Sequence, residues 1–177
     1  DDYSGAFQAV EYLIRTGCKN IAHLGGPLNL STTGHRLKGY LDALEKNSMP
    51  IKPEYIVHVP GFSHKDGSKP AKKLLQLENL PDAIFAMNDS IAVSAMHEAK
   101  KMGLRIPEDI SIVGFDDEPH SAFFSPALST VWQPVYNIGM LSARILLSHL
   151  KSSDTQLKFR KEIFKPELVV RASSKNI

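Results

Sequence analysis

A chain of 177 residues, 42% hydrophobic and 23% charged, is long enough for one α/β domain with its own core and ordinary in make-up for a globular protein. Its net charge of +2, from 21 basic against 19 acidic residues, is too mild to argue for nucleic acid; the small groups Lys72-Lys73, Lys100-Lys101 and Lys158 to Lys165 read as solvated faces. A single cysteine, Cys18, excludes an internal disulfide and points to a reducing, cytoplasmic compartment, and no apolar run reaches the ~18 residues of a membrane helix.

Helix and strand patterns alternate along the chain. Gly5 to Thr16 reads as an amphipathic helix stopped by Gly17, and Asn20 to Leu24 as a strand ended by Gly25, Gly26 and Pro27. Leu28 to Thr33 reads as a polar loop, and Arg36 to Asn47 as a helix with Leu37, Tyr40, Leu41 and Leu44 at helical spacing. Tyr55 to Val59 is an expected strand. Ser68 to Leu77 is an expected helix with Pro70 in its first turn. Ala83 to Met87 reads as a strand, followed by a helix capped by Asp89 or Ser90 and closed by Gly103. Ile110 to Phe115 is a further strand, Thr130 to Gln133 a short extended piece and Val135 to Leu150 a long amphipathic helix. Two tail strands are expected near Arg160 to Phe164 and Glu167 to Arg171, and Lys151 to Gln156 is the expected flexible segment. The chain opens on Asp1 rather than Met and reads as a piece of something longer.

Strand–helix repetition with apolar strands predicts an α/β fold: a mostly parallel sheet sandwiched by helices. Ligands of such sheets bind beyond the carboxyl ends of the strands. That rule selects Gly25 to Thr33, Pro60 to Lys65, Met87 to Ser90, and Asp116 to Ser121. Asp116 and Asp117 follow a buried strand. Adjacent carboxylates there suit a divalent cation with Asp89 as a third ligand, or ligand hydroxyls, or simply the cap of a turn. Asn88 has an amide that suits a hydroxyl-rich ligand, or serves a turn. Arg36 carries a fork that holds a carboxylate, a phosphate or paired hydroxyls, and alone reads equally as a surface ion pair. Phe62, between Gly61 and Ser63, either stacks on a ligand face or plugs the edge of the core. Catalytic patterns are thin: there is no nucleophile elbow, no phosphate loop, no dinucleotide fingerprint and no zinc-type spacing among the seven histidines. Cys18 reads as a structural thiol.

Several segments together resemble the LacI/GalR family of transcription regulators. D-D-Y-S-G-A with Y-L-I-x-x-G is similar to the family's D-N-x-x-G-A…L-x-x-x-G. NIAHLGGP (Asn20 to Pro27) with RLKGY (Arg36 to Tyr40), and PDAIFAMND (Pro81 to Asp89), resemble its strand–loop–helix segments. GLRIPEDISIVGFDD (Gly103 to Asp117) is the strongest match, followed by PALSTV, Gln133-Pro134 and the closing LVVRAS.

The resemblance implies a type I periplasmic-binding-protein-like domain of two lobes, sensing a small molecule and acting on operator DNA through an N-terminal domain that this chain lacks. Residues 1–18 would supply a helix of the N-terminal lobe, and 19–130 the C-terminal lobe. Residues 131–157 would form a crossover and a first-lobe helix, and 158–177 would return to the C-terminal lobe. Arg36, Asn88 and Asp116 match the family's polar effector contacts, Phe62 its stacking aromatic, and Thr32 (or Ser31) its specificity loop. Leu30 stands where purine-binding members carry Arg, so a sugar or sugar phosphate fits better than a purine, and Arg36 alone does not establish a phosphate. The resemblance implies no enzyme activity and no cofactor. It implies a homodimer through the C-terminal lobe, by way of Ala92 to Met96 and Phe123-Phe124. A periplasmic sugar-binding protein of a transporter shares the fold and is the alternative.

Overall fold

The structure, a computed structural model, describes residues 1–151 and 160–176. It is an α/β fold built on one six-stranded sheet. The strands are β1 (Ile21–Gly25), β2 (Ile56–His58), β3 (Ala83–Ala86), β4 (Ser111–Asp116), β5 (Ser129–Trp132) and β6 (Glu167–Val169), in the order β2-β1-β3-β4-β5-β6. All pairings are parallel except β5 with β6. Helices α1 (Asp2–Arg15) and α2 (Ser31–Lys46) cover one face; α3 (His64–Leu75) and α4 (Asp89–Lys101) cover the other.

Burial on both faces explains why the central strands read as apolar runs rather than alternating ones. Successive side chains still part company. Ile84 and Ala86 enter the core shared with α3 and α4, while Ala83 and Phe85 enter the core shared with α1 and α2. Close approach requires two glycines. A Cβ on Gly39 would lie 2.4 Å from the Tyr3 carbonyl where α2 crosses α1, and one on Gly114 would lie 2.3 Å from Asp89 Oδ1 under α4. His23, at the centre of β1, is stacked between Tyr40 and Phe85. Its Nδ1 donates to the Phe85 carbonyl at 3.0 Å, and burial pushes its pKa down to about 4, so it stays neutral.

Several boundaries differ from the expectations. Helix α2 begins at Ser31 and absorbs most of the predicted polar loop, so Arg36 lies in its second turn, not its first. Ser, Thr and Gly are poor helix formers, and tertiary burial of Thr33 overrides their propensity. Helix α3 begins at His64, four residues before the expected Ser68. A capping box starts it, with the Ser63 N–H donating to Asp66 Oδ2 at 2.9 Å. Pro70 accordingly sits in the second turn. Helix α4 is capped by Asn88, whose Oδ1 accepts from the Ile91 N–H at 2.9 Å, and not by Asp89 or Ser90. Residues 160–166 form no strand. The expected flexible stretch after Lys151, through Gln156, lies outside the described residues.

Helix α1 packs on the sheet itself. Ala6, Ala9, Val10 and Leu13 share a core with Tyr40, Phe85 and Phe115, although the resemblance placed residues 1–18 in the other lobe. Helix α5 (Val135–Lys151) is its opposite: none of its residues is buried, and Val135, Tyr136, Leu146, Leu147 and Leu150 are all exposed. The apolar face expected for a dimer is also corrected. Ala92, Ala95 and Met96 lie in the core beneath α3, and Phe124 packs against that core, leaving only Phe123 of the named set well exposed.

Candidate functional site

The sheet order reverses direction between β1 and β3. The chain leaves β1 through α2 on one face and β3 through α4 on the other, and open α/β sheets bind ligands beyond the carboxyl ends of the strands at such a reversal. The side chain of Arg36 lies at these strand ends. It is almost fully buried. Its Nη1 donates to the carbonyl of Met87, at the end of β3. Its Nε and Nη2 reach Asp2 Oδ1 at 2.8 and 2.7 Å. Its guanidinium carbon stands 3.6 Å from the centre of the Phe115 ring. Asp116 Oδ1 lies 3.6 Å from Nη2.

Asp116 ends β4 with φ at 108°, an unusual conformation for a residue with a Cβ. Gln133, just beyond β5, donates from Nε2 to Asp116 Oδ1 at 2.6 Å. Burial raises the Asp116 pKa to about 6, against the opposing pull of Arg36 and Gln133. Among the described residues nothing donates to Asp116 Oδ2, and the carboxylate is part exposed.

Asn88 follows Met87 directly. It spends Oδ1 on capping α4 and donates from Nδ2 to the Phe62 carbonyl at 3.2 Å. That bond ties the loop after β2 to the end of β3. Phe62 itself is 44% exposed, so its ring does not plug the core. Thr32 lies in the first turn of α2, half-buried and four residues before Arg36, hence on the same helix face. A chain of contacts therefore joins Arg36, Asp116, Asn88 and Phe62 along one edge of the sheet, and Thr32 borders it through its helix.

The neighbouring carboxylates have other duties. Asp89 is buried and accepts from the Glu118 N–H at 2.8 Å, from Ser121 Oγ at 2.6 Å and from Thr130 Oγ1. Asp117, also at positive φ (52°), accepts from Arg171 Nη1 at 2.7 Å. The cation reading needed Asp116, Asp117 and Asp89 to face one space; each turns to a different partner. The closing LVVRAS acquires a physical reason from the same knot. Arg171 also donates to the Leu128 carbonyl at 2.8 Å, and Ser173 bridges the Ile112 carbonyl and the Ser129 N–H at 2.6 and 2.8 Å.

Sequence reasoning missed Asp2 and Gln133 as members of this edge. Asp2 comes from the start of α1 and Gln133 from beyond β5, so neither belongs to the strand end that it serves. Both stood within segments already quoted for their resemblance, D-D-Y-S-G-A and Gln133-Pro134, which was the available signal.

A family model described as a periplasmic binding protein-like domain matches residues 10–174. The chain is 38% identical over 177 residues to a probable HTH-type transcriptional repressor, ExuR, of Bacillus subtilis (strain 168), covering all of this chain and 52% of the relative. It is 34% identical over 177 residues to the HTH-type transcriptional repressor PurR of Actinobacillus pleuropneumoniae serotype 3 (strain JL03), again covering all of this chain and 52% of the relative. It thus spans about half the length of these curated relatives. Among solved structures, a transcriptional regulator CelR–cellobiose complex superposes with a TM-score of 0.92 at 29% identity, over 98% of this chain and 52% of that one. The match of fold, order and motifs is shared: the chain belongs to the periplasmic-binding-protein-like domains of the LacI/GalR family of transcription regulators.

Proposed function

We propose that this chain is the effector-binding and dimerising portion of a transcriptional regulator, and that its effector is a sugar-like small molecule held at the carboxyl edge of the sheet by Thr32, Arg36, Phe62, Asn88 and Asp116. One observation carries the reading. Polar groups from four separate elements meet at the strand ends where sheet order reverses, anchored by Arg36 on the Met87 carbonyl and Asp116. A hydroxyl-rich solute suits that set, which offers an amide, a fork of N–H donors and a carboxylate with a free oxygen beside an exposed aromatic ring. The relative solved with cellobiose supports a saccharide over a purine.

Helix α5, apolar and uncovered, is part of the first lobe and packs on segments outside this chain. The ligand closes the two lobes by binding the closed state better than the open one, and the lobe movement alters a homodimer that presents separate DNA-binding heads to the operator. Exposed Phe123 belongs to the surface of that dimer. A signal peptide upstream would instead favour the transporter-feeding alternative, against which the relatives named as HTH-type repressors weigh.

The test is a thermal-shift screen of sugars on the full-length protein, since a ligand of the native state raises its melting temperature, followed by calorimetry. Arg36→Ala and Asp116→Ala each weaken binding by about 1–3 kcal/mol, the range for losing charge-assisted hydrogen bonds. Unchanged affinity in both variants refutes the site.

A further inference from the structure

We infer that the Arg36 end of this edge selects a neutral, hydroxyl-rich effector and rejects one carrying a phosphate or carboxylate, with Asp2 as the residue that sets the selection. The inference rests on the effector-binding reading above and narrows its substrate class. An arginine in a sugar crevice looks at first like an anion receptor, since its planar fork matches a phosphate or carboxylate with two parallel bonds. Here that fork is taken. Nε and Nη2 both serve Asp2 Oδ1, at 2.8 and 2.7 Å, and Nη1 serves the Met87 carbonyl. One face of the guanidinium is covered by the Phe115 ring at 3.6 Å. On the other edge of the fork Nη1 already serves the Met87 carbonyl and Asp116 Oδ1 lies 3.6 Å from Nη2, so an anion seeking a paired grip there meets a carboxylate, whereas a hydroxyl oxygen needs only a single N–H.

The charge count agrees. Among the described residues, Arg36 pairs with two carboxylates, Asp2 and Asp116, so the cluster carries a net negative charge. Asp117 is neutralised by Arg171 and adds no free cation. An anion approaching Arg36 therefore meets the repulsion of two carboxylates as well as the attraction of one guanidinium, among partly buried groups where charge is less screened. A neutral polyol meets only acceptors and single donors.

The experiment uses the full-length regulator at constant ionic strength, with inorganic phosphate as the anion probe in fluorimetric melting and calorimetry. Glucose, ribose and cellobiose are then compared with glucose 6-phosphate, ribose 5-phosphate and glucuronate. In wild type, phosphate gives no stabilisation that depends on Arg36. Asp2→Asn releases the fork, and phosphate binding tightens roughly tenfold, a gain that Arg36→Gln removes in the double variant. Asp2→Ser repeats the arm should Asp2→Asn fail to fold, with circular dichroism as the check. The inference is overturned if phosphate or a charged sugar stabilises wild type through Arg36. It is also overturned if folded Asp2 variants gain nothing. Failure of the broader reading looks different: Arg36→Ala and Asp116→Ala then leave the response to every neutral sugar unchanged, whatever phosphate does.

Discussion

Asp89 and Asp116 stand at the carboxyl ends of neighbouring strands, and burial raises the pKa of both. Their surroundings nevertheless give them opposite roles. Asp89 is closed in by Glu118, Ser121 and Thr130, which use both its oxygens. Asp116 receives one firm bond, from Gln133, and a loose ion pair with Arg36 at 3.6 Å. A satisfied buried carboxylate holds structure, whereas a part-satisfied one at a part-exposed strand end has capacity left for a ligand.

The sharpest way to break this contrast is to truncate Asp89. Asp89→Ala strands the Glu118 N–H and two buried hydroxyls, and is expected to cost about 3 kcal/mol of stability. At 2–4 °C per kcal/mol that is a fall of roughly 6–12 °C in melting temperature. A fall as small as that of Asp116→Ala would erase the distinction. Asp116→Ala should show the reverse pattern, with effector affinity lost by about 1–3 kcal/mol and little change in melting.

Acidity sharpens the comparison further. With a folded pKa of about 6 against 3.8, Asp116 holds a proton that the unfolded chain has already released between those values. Its ionisation therefore costs stability as pH rises through that window, and the cost is fully present at neutral pH. Ligand hydroxyls that donate to the ionised carboxylate relieve it. Effector affinity should thus fall as pH drops below about 6 in wild type and stay flat in Asp116→Asn, which titration calorimetry from pH 5 to 8 would read.

The smallest effects belong to the rim. Phe62→Ala and Thr32→Ala should each weaken binding by about 1 kcal/mol or less, because one ring is part exposed and one hydroxyl sits on solvated helix. A larger loss at Thr32 than at Arg36 would move the centre of the site towards the start of α2.

Strand identities and their parallel order were legible because doubly covered strands must be apolar, and Ile84, Phe85, Ile112 and Phe115 announce this without their neighbours. The positions of Arg36, Asn88 and Asp116 followed from the same periodicity, since each lies just past a strand or near the start of the helix after it. Local rules misled where tertiary contacts outweighed propensity. Ser31 to His35 became helix against their preference, and the Ala92–Met96 face proved to be core.

The sequence by itself therefore determined the parallel strands β1 to β5, where they end and which family pattern they follow, because periodicity and turn chemistry act over a few residues; it did not determine the tail, where the strand expected near Arg160 to Phe164 does not form. Only the tertiary structure decided that Asp2 claims the fork of Arg36, that Asp89 is spent and Asp116 is not, and that α1 is buried while α5 is bare. The side-chain pairings among those outcomes join groups 17 to 41 residues apart, and α1 meets Phe85 and Phe115 from further still; the energy of a buried charge is set by what meets it.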